Sequence, residues 1–347
     1  MLQLALVFGL AAAALCPVAE ARADTAGGAA RGPIATLQGD VVALATTGVG
    51  AAGKVGVAAW RLDGAGPKLL VNADEAFPMA STFKVAVAGA VLQRVEEGRL
   101  GLDRMISIDL DRMVDSEILA DRFIHPGLSI SVYNLLELML TQSDNTATDY
   151  MVEAAGGPAA VTAWAKAQGV VGLRVDGGTD EIIRRFFRLG PGPFPKALAA
   201  AAASTPDLSA RAERPDPSFD LDPRDTASPR AMAELLTRIF QGRALSPDKT
   251  AILIGMMTRC RTGVGRLRAL MPPDTKVADK TGTIGGTVND VGVLTLPGGG
   301  EVVVAAFIKA SDAPMAAREK AIAQIGRAVR DFYLYEGGAG GPGRGGP

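Results

Sequence analysis

Val291-Gly292-Val293-Leu294-Thr295-Leu296, then Pro297-Gly298-Gly299-Gly300, then Glu301-Val302-Val303-Val304-Ala305-Ala306-Phe307-Ile308 is the stretch from which the fold can be read. Two runs of β-branched and apolar residues flanking a proline and three glycines form a hairpin, because those turn residues supply the backbone angles of a tight reversal. Beyond it, Ile322, Ile325, Val329 and Phe332 recur at helical spacing, which predicts an amphipathic helix over 316–335 that covers a sheet. A matching hairpin lies near the other end, where 55–62 and 68–71 flank Asp63-Gly64-Ala65-Gly66. Both ends of the chain therefore build one α/β layer. The middle reads differently, with an apolar helix from Ser81 to a stop at Gly98 and another over 131–141. The expected fold is an antiparallel sheet flanked by helices, built from 35–80 and 230–336, with an all-helical domain inserted over 81–229.

Composition narrows the chemistry. In 347 residues there are 36 Lys and Arg against 37 Asp and Glu, one histidine, His125, and two cysteines, Cys16 and Cys260. A Ser-His-Asp or Cys-His mechanism would have to run through His125 alone, and a metal site built from several His and Cys ligands has too few to draw on. No metal or other cofactor is expected. The balanced charge argues against nucleic acid as a partner, which needs a basic surplus. Residues 1–23 read as a signal peptide: an apolar run over 4–15, too short to span a bilayer, then Ala21-Arg22-Ala23 before a cut ahead of Asp24. That places the mature protein in the periplasm or outside the cell, with no stable membrane anchor and Cys260 as its remaining thiol, read as a small core-facing residue. Residues 337–347, rich in Gly and Pro, read as a flexible tail. A monomer is expected, since no repeat or heptad argues otherwise.

Three short clusters carry chemistry. In Ser81-Thr82-Phe83-Lys84, at the head of a helix, the spacing puts the Lys84 amine one turn from the Ser81 hydroxyl. A desolvated, neutral lysine can take the serine proton, and the Ser81 N–H at a helix N-terminus can face an oxyanion. Ser143-Asp144-Asn145 follows an apolar helix and offers a hydroxyl to relay a proton and an amide to hold a substrate carbonyl. Lys280-Thr281-Gly282-Thr283, on an edge strand, would present an ammonium and hydroxyls to a carboxylate. Gly282 there would allow the substrate backbone to approach, and the Thr283 N–H would complete the oxyanion hole. An S-x-x-K pair arises by chance about once in such a chain, but all three clusters in order do not.

In these motifs the sequence resembles the class A serine β-lactamases, within the penicillin-recognising serine enzymes, over about 37–335. Phe77-Pro78-Met79-Ala80-Ser81-Thr82-Phe83-Lys84 is similar to the nucleophile helix of that family. Ser143-Asp144-Asn145-Thr146-Ala147 with Gly156-Gly157-Pro158 is similar to its second motif. Asp279-Lys280-Thr281-Gly282-Thr283 with Thr287, Asn289 and Asp290 is similar to its third. The resemblance implies Ser81 as acylated nucleophile, Lys84 as base or relay, and Ser143 as donor to the leaving nitrogen. Asn145, Lys280, Thr281, Gly282, Thr283 and Arg266 would bind a small-molecule β-lactam, whose hydrolysis confers resistance. A D-Ala-D-Ala peptidase or esterase of the same fold, or a slowly deacylating penicillin-binding sensor, are the alternative functions.

The resemblance breaks in a loop over 176–225. Family members activate the deacylating water with a loop glutamate, and Thr179 stands at that place here, with Gly177 where an arginine pins the loop to an exit aspartate. About thirty additional residues, rich in Pro, Ala and Asp with weak periodicity, separate the loop's two ends and read as a long loop, a functional lid or a disordered insertion. Glu213 is the leading candidate for the deacylating base, with Asp220, Glu181 and Asp180 as the others. His125, Tyr133 and Tyr150 read as structural, and Trp60 as core.

Overall fold

The computed structural model describes residues 32–339 apart from Glu117; the expected signal peptide and the residues beyond 339 lie outside the described residues. Strand β1 (Lys54–Arg61) and the short β2 (Leu69–Val71) form the first hairpin. After β3 (Phe77–Pro78), β4 (Met105–Ser107), β5 (Ser129–Ser131) and β6 (Thr226–Ala227) come the long strands β7 (Lys276–Ile284), β8 (Thr287–Thr295) and β9 (Glu301–Lys309). The main sheet is antiparallel with strand order β2-β1-β9-β8-β7. Pairing of β1 with β9, Val55 opposite Ile308 and Trp60 opposite Val303, joins the two ends of the chain as the hairpin patterns require. The β8–β9 reversal uses Gly298, Gly299 and Gly300 at φ of 79, 97 and 92°, angles that a side chain would strain.

Helices cover both faces of that sheet. In chain order they are α1 (Pro33–Gly48), α2 (Lys84–Glu96), α3 (Leu119–Arg122), α4 (Val132–Thr141), α5 (Asn145–Ala154) and α6 (Pro158–Ala167). There follow α7 (Thr179–Phe187), α8 (Phe194–Ser204), α9 (Leu208–Arg211), α10 (Pro217–Asp220), α11 (Pro229–Phe240), α12 (Pro247–Thr258) and α13 (Met315–Ala339). On one face Leu37 and Val41 of α1 and Ile322, Ile325, Val329 and Tyr333 of α13 pack on Val57, Val304 and Val288. Each such fully buried side chain contributes about 1.5–3 kcal/mol. On the other face α2, α4, α5, α6, α11 and α12 share a core with Trp60, Val293 and Phe307. Helix α13 extends past the expected 335 and takes in 337–339, the first residues read as a tail.

The loop over 176–225 is where the irregular reading fails. It contains α7 to α10. The alanine run 199–203 has no apolar periodicity, yet alanine is the strongest helix former, and Pro193 and Pro195 sit at the start of α8, where a missing N–H costs nothing. In α7, Ile182 and Phe186 are buried one turn apart, and Phe186 meets Phe219 of α10 edge-on at 5.2 Å.

Candidate active site

Ser81 lies in a 3₁₀ turn, Ala80–Phe83, that leads into α2, so Lys84 opens the α-helix proper. The turn is held from several sides. Asn289 Nδ2 donates to the carbonyls of Pro78 and Met79 at 2.9 Å each, Thr82 Oγ1 donates to Met79 O at 2.8 Å, and Met79 N donates to Asp225 O at 2.9 Å. These contacts keep Ala80 at φ 44°, a left-handed conformation that costs an L-residue about 1–3 kcal/mol. Ser143, the first residue of the second motif, is held likewise at φ 57°.

Ser143 is the meeting point of two lysines. Lys84 Nζ donates to Ser143 O at 2.7 Å, Ser143 Oγ at 3.2 Å and Asn145 Oδ1 at 2.9 Å. From the edge strand β7, Lys280 Nζ donates to the same Ser143 Oγ at 2.9 Å and to Thr281 O at 2.9 Å. Both lysines are buried. Burial, and secondarily the nearby Lys280 charge, hold the Lys84 ammonium well below its usual range, so a neutral amine is accessible there. Burial brings Lys280 down to about 8, with Asp279 and Asp290 opposing the shift. Under Lys280, Asp279 takes an Arg268 Nε bond of 2.7 Å, while burial and the Asp279 charge push the Asp290 carboxyl well up.

The third motif departs from expectation at two residues. A Cβ on Gly282 would fall 2.6 Å from Met79 O and 3.0 Å from Ser81 N. Glycine is therefore required by the nucleophile turn pressed against β7, rather than by an approaching substrate. Arg266 was expected to meet a substrate carboxylate, but it is buried behind the strand: Nη1 donates to Gly282 O and Asn289 O, Nε to Glu319, and Nη2 to Thr283 Oγ1 at 2.6 Å. The Nη2 bond holds the Thr283 hydroxyl in place. Thr281 Oγ1 pairs with Thr262 Oγ1 at 2.5 Å.

A sequence model of the β-lactamase enzyme family matches residues 41–333. The chain belongs to the β-lactamase enzyme family. It is similar to the extended-spectrum β-lactamase PER-1 of Pseudomonas aeruginosa, 29% identical over 82% of this chain and 84% of that protein. A β-lactamase of Mycobacterium tuberculosis is 32% identical over 67% of this chain and 66% of that one. Among solved structures, an ancestral class A β-lactamase superposes with a TM-score of 0.70 at 34% identity, over 85% of this chain and 99% of that one.

As a β-lactamase-family loop, 176–225 closes by an altered device. Asp225, itself at φ 52°, accepts from the N–H of Asp176 at 2.7 Å and of Gly177 at 3.0 Å, while its own N–H donates to Asp176 Oδ2 at 2.9 Å. The arginine missing at Gly177 is supplied by Arg185, one turn from the end of α7, whose Nη2 meets Asp225 Oδ2. Thr179 turns its hydroxyl to Asn145 O at 2.8 Å and to Asp149. Asp149 accepts the first N–H groups of α7, from Thr179 and Asp180, and burial nevertheless pushes its carboxyl up. Its place four residues after Asn145, on the same helix face, was a readable signal that motif matching passed over.

The carboxylate candidates are scattered. Glu213 is exposed, and its backbone carbonyl is bound by Arg318 Nη2 at 3.0 Å beside the β7–β8 turn, where Gly285 N donates to Ala212 O. Asp180 pairs with Arg184, and Glu181 is exposed on α7. Asp220 is buried, with burial raising its carboxyl to about 6. The carboxylates that act most on Lys84 are instead Asp144 and Asp149. Asp144 is engaged by Ala147 N, Ser116 Oγ and Leu119 N. His125 is exposed and bonded to Pro126 O, and burial pushes the Cys260 thiol up, as a core residue requires.

Proposed function

We propose that the protein hydrolyses β-lactams through an acyl-enzyme on Ser81, as an exported, monomeric enzyme that confers resistance. The observation that carries the reading is the Ser143 hydroxyl held between Lys84 and Lys280, at 3.2 and 2.9 Å. Neutral Lys84 takes the Ser81 proton as the hydroxyl attacks the lactam carbonyl. The N–H groups of Ser81 and Thr283 receive the oxyanion. Lys84 then returns the proton through Ser143 to the leaving nitrogen, and Asn145 holds the substrate's side-chain amide. Lys280, Thr281 and Thr283 bind the substrate carboxylate, with Arg266 orienting Thr283.

That proton path leaves Lys84 uncharged again. Its direct partners are neutral oxygens of Ser143 and Asn145. Lys84 therefore serves as base for the water that releases the acyl group, and Glu213 takes no part. No helix among the described residues is long and apolar enough to cross a membrane. The test pairs a chromogenic cephalosporin with a peptide ending in D-Ala-D-Ala. Lactam turnover without D-Ala release supports the reading, D-Ala release as the faster reaction favours the peptidase, and acylation without turnover favours the sensor.

A further inference from the structure

Positive charge gathers away from Ser81, at the ends of α2 and α5 opposite Lys84 and Asn145. A cavity of about 340 Å³, within the size range of small-molecule sites, opens there between the last turns of both helices and β4. Four arginines line it, Arg94, Arg99, Arg104 and Arg112, against a single carboxylate, Glu153. The chain as a whole balances 36 basic against 37 acidic residues, so the excess belongs to this surface and not to the composition. An arginine in the last turn of α2, such as Arg94, would by itself answer to the helix dipole. The other three come from outside that helix: from the turn after it, from the segment entering β4, and from the 3₁₀ turn Leu110–Arg112.

The chain itself answers only part of this charge. Arg112 pairs with Glu153 at 2.8 Å and lies over the Tyr150 ring, 4.6 Å from its centre, while Arg99 pairs with Glu97. That uses the one carboxylate of the lining. Among the described residues Arg94 and Arg104 form no ion pair, and Arg94 Nε is buried without a hydrogen-bond partner. A buried donor on a charged group is costly to leave unmatched, so the site calls for an acceptor. The backbone that carries the arginines is fixed beforehand. Arg99 N donates to Arg94 O at 2.9 Å, Val132 N to Arg104 O at 3.0 Å, and Asp109 N to Tyr150 Oη at 2.8 Å. Leu100, Ile106 and Tyr150 supply an apolar wall beside the charges. Ser81, Lys84, Ser143 and Lys280 have no part in the lining.

We propose that this cavity is a second binding site, for a small soluble organic phosphate. Arg94 and Arg104 hold the phosphoryl group, Arg99 and Arg112 flank it, and a compact apolar or aromatic body rests on Leu100, Ile106 and Tyr150. Guanidinium forks match phosphate oxygens in pairs, and a phosphate dianion offsets the excess charge of the lining more fully than a single carboxylate does. The site goes beyond the β-lactam reading and uses none of its residues.

Isothermal titration calorimetry at low salt, at a pH above the second phosphate pKa of about 6, tests it with phenyl phosphate, inorganic phosphate and phenol. Phenyl phosphate should bind one to one, inorganic phosphate roughly tenfold more weakly, and phenol not at all. Arg104→Glu, at an exposed position, and Arg94→Gln should each weaken phenyl phosphate by roughly tenfold or more, with unfolding midpoints confirming that both variants fold. Lys84 and Lys280 also attract anions, so Lys280→Gln is the control and should leave the affinity unchanged. Binding that is lost in Lys280→Gln but kept in both arginine variants puts the anion in the active site and overturns the proposal. Absence of binding, or equal affinity for inorganic phosphate, overturns it as well. So does adsorption to vesicles containing phosphatidic acid without binding of phenyl phosphate, which would make the patch a membrane contact.

Discussion

Raising the pH should disable substrate capture by neutralising Lys280, and the size of the effect follows from its burial. Lys280 is fully buried and its ammonium is brought from 10.5 to about 8. That shift corresponds to roughly 3 kcal/mol against the charged form. A lysine with such a pKa is about 90% charged near pH 7 and about 10% charged near pH 9, so kcat/KM should fall about ninefold over that interval. Lys84 has the opposite requirement. It must lose its proton to act on Ser81, and its depressed pKa sets the rising limb on the acid side. Because both ammonium groups bond one oxygen, Ser143 Oγ, the two limbs belong to the pair. Lys280→Arg separates them: a guanidinium stays charged throughout, so the alkaline limb should disappear while the acid limb remains, whatever the absolute rate. Initial rates with a chromogenic cephalosporin across the pH range measure this directly. An alkaline limb that persists unchanged in Lys280→Arg, or a wild-type limb near the ordinary lysine value, would refute the reasoning.

Other perturbations have equally definite outcomes. The Asp220 carboxyl, raised to about 6, leaves one oxygen buried without a partner. The folded state holds its proton more tightly than the unfolded chain, so stability falls as pH rises from the ordinary carboxyl value through about 6 and stays lower above it. Asp220→Asn should then stabilise by about 1–2 kcal/mol at neutral pH, after discounting for screening, and by nothing in acid; thermal melts at both pH values check it. Arg185→Gln leaves Asp225 buried without its cation and should cost about 3 kcal/mol in a denaturant titration. Gly282→Ala forces the Ser81 turn away from β7 and should slow acylation roughly a hundredfold with little loss of fold, read by stopped-flow. Glu213→Gln should turn over at the parent rate with no accumulating adduct in the mass spectrum.

The parts of the fold legible in sequence were those where one pattern had one physical solution. The continuous β-branched and apolar run of 302–308 and the spacing of Ile322, Ile325 and Val329 needed no partner information, and β9 and α13 follow them. Lys84, Ser143 and Lys280 stand in linear motifs, and the two lysines converge on Ser143 Oγ. Arg266 was misread because sequence shows that an arginine is near β7 but not which side of the strand it occupies. The insertion was misread because alanine gives helix without periodicity. Arg185 was invisible for another reason: it replaces an arginine expected at Gly177 only after α7 folds back on Asp225.

The central claim is that Ser81 is acylated by a β-lactam and then freed by the same small set of residues. Rapid-quench intact mass spectrometry during turnover of a penicillin tests it most directly. A single transient adduct on the peptide containing Ser81, decaying to free enzyme as substrate is exhausted and absent in Ser81→Ala, is the predicted result. Undiminished turnover in Ser81→Ala, or a stoichiometric adduct that never decays, would contradict the account.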